Sequence, residues 1–369
     1  MNKTIALLFI GLLLGLTIYV GWRLWRLTPG MWAVKAGVLL AFLAWMALFF
    51  ISFIRIERLP LGLAQIVYNV GNPWLIFFLY LLLAFLFARL GQICRLLPAD
   101  FLKSSPEGFC TIIGGVALLM LIGGLHYHHK YREELTVHTE KPLEKPLKVV
   151  LISDLHLGYH NRRAELARWV DIINAENPDL ILTTGDVVDR SIRPVVDGNY
   201  AQEFHRLKAP IWTVLGNHDY YSNEPLVEQF FKDAGIRLLR DESAQFGSLT
   251  VIGRDDRTNP RRKLLSTLTD SISGFSILLD HQPYHLEEAE QAGIDFQFSG
   301  HTHRGQVWPI SWVTDAMYEK SWGHLQRGTT RYYITSGIGI WGARIRIGTR
   351  SEYLVLDIRQ SVPQRPQSE

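Results

Sequence analysis

Cysteine is scarce in this sequence: Cys94 and Cys110 are the only two in 369 residues. One possible pair makes no disulfide framework, and neither residue has the local spacing of a metal site. A strong charge of either sign is also missing. The formal net charge is +3 without a concentrated basic stripe, which argues against a nucleic-acid binder. Charge is thinnest at the start, where residues 1–130 are dominated by Leu, Phe, Ile, Ala, Gly and Trp with isolated Arg. Beyond that point charged residues return at an ordinary globular frequency. The break excludes one soluble domain and predicts a membrane region followed by a soluble one.

Four apolar runs, residues 4–20, 31–54, 74–88 and 109–125, approach the length of about 20 helical residues needed to cross a hydrocarbon core. Trp22, Trp25, Trp32 and Trp74 stand at run ends, where indole rings prefer the interface. Buried globular helices are the alternative, but they would need polar faces to cover so much apolar surface. The first run has only Lys3 before it and no small-residue cleavage pattern after it, so it reads as a retained helix and not a signal peptide. Six basic residues (Arg23, Arg26, Lys35, Arg89, Arg95, Lys103) flank one side of these runs and five (Lys3, Arg55, Arg58, Lys130, Arg132) the other. That difference leans towards extracytoplasmic termini, and an even number of helices puts the soluble part on the side of the N-terminus.

His126, His128 and His129, with Tyr127, Lys130, Tyr131 and Arg132, invite a metal reading, but they equally suit an aromatic and basic belt where a helix leaves the bilayer. Pro142 and Pro146 disfavour helix, so residues 131–147 are expected to form an extended linker. Residues 148–359 should then form the soluble domain, with 360–369 a polar tail. Short β-branched runs alternate there with helical ones. Strands are predicted at 148–153, 180–184, 211–215, 249–253, 275–279, 296–298, 332–335 and 353–358, and helices at 162–175, 200–207, 225–234 and 284–291. This alternation implies an α/β fold with parallel pairing and helices outside, and ligands bind such sheets at the carboxyl ends of the strands.

The polar clusters fall at those ends. Asp154 and His156 follow the first strand, Gly185, Asp186 and Asp189 the second, and Gly216, Asn217, His218 and Asp219 the third. Asp280 and His281 end a later strand, and Gly300, His301 and His303 the next. Each cluster alone has a plain explanation as a turn, a helix cap or a satisfied polar loop. Five in this order, each just after a predicted strand, point to one site. Two divalent ions about 3.5 to 4 Å apart can hold an attacking water and a phosphoryl oxygen, which requires one bridging carboxylate with imidazoles and carboxylates around it. Mixed oxygen and nitrogen donors suit Mn, Fe or Zn over Ca.

The order Asp-x-His, Gly-Asp-x-x-Asp, Gly-Asn-His-Asp, His, Gly-His-x-His resembles the calcineurin-like metallophosphoesterase superfamily over residues 147–358. The resemblance implies a four-layer αββα sandwich, here preceded by a four-helix transmembrane region. It implies that one metal takes Asp154, His156, Asp186 and His303, and the other Asp186, Asn217, His281 and His301. His218 would face the substrate with Asp219 orienting it, and Asp189 would steer a ligand. The finer match is to bacterial transmembrane metallophosphoesterases, in which Gly-Gly-Gln and a proline follow the last His motif, then a glycine pair and an arginine. Here Arg304 replaces the first of those glycines before Gly305, Gln306 and Pro309, and Gly337, Gly339 and Arg344 follow. Arg304 and Arg344 are therefore candidate substrate contacts, with projection into solvent the alternative for Arg304.

That match implies a multi-pass protein of the bacterial inner membrane, hydrolysing a phosphomonoester, phosphodiester or pyrophosphate. Some relatives cleave the pyrophosphate of the lipid A precursor UDP-2,3-diacylglucosamine, so a lipid-linked substrate is a candidate. An apolar stretch holding Ile310, Trp312, Val313, Met317 and Tyr318 follows two of the expected ligands and reads either as a lipid-facing rim or as core beneath a long loop. A membrane sensor binding a phosphorylated ligand without turnover is the competing function, separable from an enzyme by metal-dependent turnover. A nuclease would need a basic groove that the sequence does not show.

Overall fold

The computed structural model describes residues 3–270 and 272–361 and divides the chain into two units, Met1–Leu125 and His126–Glu369. The expected tail falls outside the described residues beyond 361. In the first unit α1 spans Lys3–Leu27, α2 Trp32–Ile54, α3 Leu61–Gly71 and α4 Pro73–Ile93. Then α5, Pro106–Phe109, passes through a π turn at Cys110–Gly114 into α6, Gly115–His128. Pro73 opens α4 where its missing N–H is no loss, so α3 and α4 run on as one apolar stretch.

Among the described residues three helical stretches are long and apolar enough to cross a membrane: Trp32–Ile54, Leu61–Ile93 and Pro106–His128. They contain the second, third and fourth expected runs. The first run is helical within α1, but its opening turns lie outside the residues whose side chains are described, and it is not among the three. Among the described residues the count is thus three, so an even number of crossings no longer assigns the side of the membrane.

The second unit begins earlier than expected. Residues predicted as a free linker form β1, Lys130–Thr139, an edge strand that pairs in parallel along its whole length with the last strand. Sheet neighbours capture the extended backbone that the linker reading foresaw. Next come β2 (Leu147–Ile152), α7 (Arg163–Ala175), β3 (Leu180–Thr183), α8 (Arg193–Asp197), α9 (Ala201–Phe204) and β4 (Ile211–Thr213). They are followed by α10 (Asn217–Tyr221), α11 (Glu224–Asp233), β5 (Ile236–Leu238), β6 (Glu242–Phe246), β7 (Leu249–Gly253) and β8 (Phe275–Leu279). The unit closes with α12 (Glu287–Gln291), β9 (Phe296–Ser299), α13 (Ile310–Met317), β10 (Gly323–Arg327), β11 (Thr330–Ile334) and β12 (Ser351–Gln360).

Two six-stranded sheets result, ordered β1-β12-β2-β3-β4-β5 and β10-β11-β9-β8-β7-β6. Strand side chains alternate between faces, so successive residues serve different layers. Val149 and Leu151 of β2 join Val251, Ile277 and Phe298 in a core between the sheets. Val150 and Ile152, one residue out of phase, pack against Trp169 of α7 and Phe231 of α11. Ile252, Leu278 and Ile334 of the other sheet pack against Leu286 and Ala289 beside α12. Helices, sheet, sheet and helices make the expected four-layer αββα sandwich. Each strand end that was to carry a polar cluster does so.

Edge capture by β1 predicts a stability difference. A fragment starting at Lys148 loses buried Val137 and bares the ladder of β12. Urea unfolding should find it less stable than one starting at His126 by about 3 kcal/mol or more; equal midpoints would mean that β1 is only a tether.

Candidate metal centre

The loops leaving β2 and β3 lock together before either presents a ligand. Backbone bonds run from Asp154 N to Gly185 O at 3.1 Å, His156 N to Asp186 O at 2.9 Å and Leu157 N to Val187 O at 2.9 Å. These bonds hold the backbone in a conformation that side-chain residues avoid: φ is +57° at Asp154, +46° at His156 and +50° at Asp186. His301 and His303 share it at +70° and +48°. Left-handed non-glycine residues cost on the order of 1–3 kcal/mol each and persist only where the surroundings over-determine them, and such strain gathers at functional sites. Space is short as well. A Cβ on Gly216 would stand 2.2 Å from Asp186 Oδ1, and one on Gly300 2.3 Å from Asp154 Oδ2.

Three donor groups result among the described residues, one of them His156, Asp189 and His218, and the other two frame the centre. Asp154, His156 and His303 offer ligand atoms within 4.8 Å of one another, and so do Asp186, His281 and His301. Asp186 also reaches the first group: its Oδ2 lies 3.6 Å from His156 Nε2 and 3.2 Å from His281 Nε2. Asn217 Oδ1 completes the second group, 3.2 Å from His281 Nε2 and 2.8 Å from His301 Nδ1. His156 Nε2 and His303 Nε2 face each other at 3.1 Å, two lone-pair donors converging on one point. The outer nitrogens are fixed, His281 Nδ1 on Thr184 O at 2.6 Å and His156 Nδ1 on Asp189 Oδ1 at 3.2 Å. Such outer contacts aim the inner nitrogens at a metal. The donor set therefore fits two divalent ions.

Most of these groups are fully buried, so their charges must balance locally. Burial raises the Asp154 carboxyl, but His303 and His156 outweigh it and hold it below the usual carboxylate range. Burial lowers the His156 imidazole, yet the hydrogen bonds that it donates to the Asp154 and Asp189 carboxylates bring it up to about 10. His281 is likewise raised to about 10, against burial, by Asp186. Burial takes His301 down to about 4. Protons thus do for the carboxylates what divalent cations would do in their place, and ligation releases them.

His218 is partly buried, with 22% of its side chain exposed. Its Nδ1 lies 3.0 Å from Asp189 Oδ1, and its backbone N–H donates to Asp186 Oδ1 at 2.8 Å. Asp189, expected to steer one ligand, thus stands against both His156 and His218. Asp219 does not orient His218. Its carboxylate accepts the N–H groups of Gly216 at 2.9 Å and Val188 at 2.9 Å, binding the β4 loop to the β3 loop. Neighbours along a helix diverge by about 100°, so adjacency in α10 separates the two side chains. Burial and the Asp186 charge push the Asp219 carboxyl up to about 7.

The two candidate arginines lie in different surroundings. Arg304 stacks its guanidinium 4.0 Å from the centre of the Trp322 ring, so it does not project freely into solvent. Arg344 is half-buried, and Arg346, which no motif singled out, is tied to the centre. Fully buried, Arg346 donates to His303 O at 2.7 Å, Ser336 O at 2.5 Å and Gly339 O at 3.2 Å. Burial takes its guanidinium down to about 10. His160, also unforeseen, is buried with Nε2 on Ile340 O at 2.5 Å and Nδ1 3.7 Å from Asp189 Oδ2. Its only signal in the sequence was its closeness to His156. Around the remaining His cluster, Tyr131 packs on His126 and His129 at 5.6 and 4.4 Å, and no three-ligand group forms there among the described residues.

Fold and centre together define an αββα sandwich with a buried Asp- and His-rich donor set at the carboxyl ends of its strands. Residues 147–305 match the family model described as calcineurin-like phosphoesterase, so this part of the chain is a calcineurin-like phosphoesterase domain. It is 27% identical over 255 residues to an uncharacterized metallophosphoesterase of Campylobacter jejuni, covering 66% of this chain and 68% of that one. An uncharacterized metallophosphoesterase of Bacillus subtilis is 25% identical over 66% of this chain and 97% of its own. A Danio rerio protein described as a transmembrane protein with metallophosphoesterase domain is 30% identical over 61% of this chain and 57% of its own.

Replacing Arg346 by Met should leave three carbonyls without their donor and cost about 3 kcal/mol. Thermal melts with and without Mn should show reduced stabilisation by the ion in that variant. An unchanged Mn effect would separate Arg346 from the ligand turn.

Proposed function

We propose that this chain is a membrane-anchored phosphoesterase that uses two divalent ions, of the Mn, Fe or Zn kind, to cleave phosphomonoester, phosphodiester or pyrophosphate bonds, with a lipid-linked substrate. The observation that carries the reading is the Asp186 carboxylate placed between two His-rich donor groups with a partly buried His218 beside them. Asp154, His156, Asp186 and His303 would hold one ion, and Asp186, Asn217, His281 and His301 the other. When bound, such ions polarise a phosphoryl oxygen and lower the pKa of an attacking water. Asp189 beside Nδ1 of His218 leaves the far edge of that ring free to donate to the leaving oxygen. Asp219 keeps the two ligand loops in register.

The full-length protein supplied with Mn should hydrolyse an activated aryl phosphodiester. Asp186→Ala should abolish turnover, and His218→Ala should lower it by about 10²-fold or more. Metal-independent binding of phosphate compounds without turnover would favour the sensor instead.

The lipid reading is supported by α13. It starts seven residues after His303, and just beyond its end Tyr318 brings its ring 6.3 Å from that of His301. Between them Trp312, Val313 and Met317 are 64%, 50% and 62% exposed, so these residues are not core beneath a loop. Apolar side chains left in water beside a phosphate site suit an acyl chain or a bilayer surface. A bacterial inner-membrane location and an acylated nucleotide sugar such as UDP-2,3-diacylglucosamine remain part of this proposal, and the side of the membrane is left open by the helix count. Changing Trp312, Val313 and Met317 together to Ser should reduce turnover of an acylated substrate about tenfold or more while sparing a soluble aryl ester. Equal loss on both would remove the lipid argument.

A further inference from the structure

A second concave site lies wholly within the first unit. Arg23 and Arg26 near the end of α1, Arg89 near the end of α4, and Arg95 and Lys103 of the loop that follows surround a cavity of about 780 Å³ beside Trp22. None of its lining residues is acidic, and Asp100, although in the same loop, is not among them. Scattered basic residues at a helix end ordinarily spread into water. Five of them converge on one concavity and repel each other with no carboxylate among the lining residues.

Arg23 shows what would offset that repulsion. Tyr19, Trp22 and Phe85 lie 5.8, 5.6 and 5.4 Å from its guanidinium carbon and cover the group with aromatic rings. Its Nε and Nη2 are buried and have no hydrogen-bond partner among the described residues. A guanidinium clad in aromatic rings, with donors buried and unspent, lacks a forked oxygen acceptor. Burying such donors without one is costly.

The walls are set in place beforehand. Gln92 donates to Pro98 O at 3.1 Å and Ala99 O at 3.2 Å, Ser104 N bonds Arg26 O at 2.7 Å, and Lys35 Nζ reaches Ser104 Oγ at 2.8 Å. The loop is thereby pinned to α1 and α4, and a ligand would not have to order it.

We propose that this cavity binds a phosphate group carrying more than one negative charge, with Arg23 as its central donor. Its volume exceeds a lone phosphate, and its wall mixes cations with Trp22, Leu97 and Leu102, which fits the headgroup of an anionic phospholipid. A soluble pyrophosphate shares the chemistry. The site is independent of the metal centre, whose ligands lie in the other unit.

The test uses full-length protein in phosphatidylcholine nanodiscs with or without phosphatidic acid, and separately with added pyrophosphate, reading the midpoint of thermal unfolding. Phosphatidic acid should raise the midpoint of the wild type. Arg23→Leu should unfold at the same temperature as the wild type or higher without ligand, because it removes a buried unpaired charge, and should lose the ligand-induced rise. A fold-maintaining Arg23 would instead lower the ligand-free midpoint, and that result overturns the proposal. Arg23→Lys keeps the charge without the fork and should weaken binding about tenfold, the loss of one charge-assisted contact. Arg55→Gln with Arg58→Gln, outside the cavity, should keep the full response. A rise with phosphatidic acid alone assigns a lipid headgroup, and a rise with pyrophosphate alone assigns a soluble anion. No rise with either, or an unchanged rise in Arg23→Leu, refutes the site.

Discussion

Asp186 is where the two sheets of the second unit meet chemically. It leaves β3 of one sheet with a left-handed backbone, faces His281 from β8 of the other, and lies near His156 from β2. Its second oxygen accepts the N–H of His218 from the turn after β4. A buried carboxylate cannot stand among such neighbours unless positive charge surrounds it, and both donor groups are arranged around that requirement. The interlocked loop backbones, the close-fitting Gly216 and Gly300, and the Asp219 clamp all keep this carboxylate in place.

Function follows from the same constraint. Parallel strands deliver their carboxyl ends to one edge, and five loops cross there with little room for solvent. Arg346 extends the scheme to the C-terminal part of the unit, tying the carbonyl of His303 to those of Ser336 and Gly339. On one side of the centre stands His218, open enough to meet a substrate. On another, α13 carries its exposed apolar side chains away from His303 and returns through Tyr318 to His301.

Much of this was legible in the sequence because strand periodicity and cluster order are local signals. The core strands and the helices that became α7 and α11 fall where their patterns put them, and the seven residues proposed as ligands gather at the strand ends. What escaped depends on distant partners. The charged alternation of β1 looks like a tether until β12 pairs with it. The short β10, half-exposed, has no apolar face to announce it. Arg344 and Arg346 stand two apart in an irregular segment, where no period singles out the one that is fully buried. Asp219 misled by adjacency, since the partner of His218 comes from another loop. In the first unit, hydropathy marked the helices, but it could not show that Arg23 would be enclosed by aromatic rings contributed by both α1 and α4.

The central claim is that one carboxylate joins two metal positions. Low-temperature electron paramagnetic resonance of the full-length protein loaded with Mn tests it directly. A pair bridged by Asp186 gives a spin-coupled multiline spectrum that Asp186→Asn converts to the signal of isolated ions. An isolated-ion spectrum in the unaltered protein, at a loading of two Mn per chain, would contradict the account.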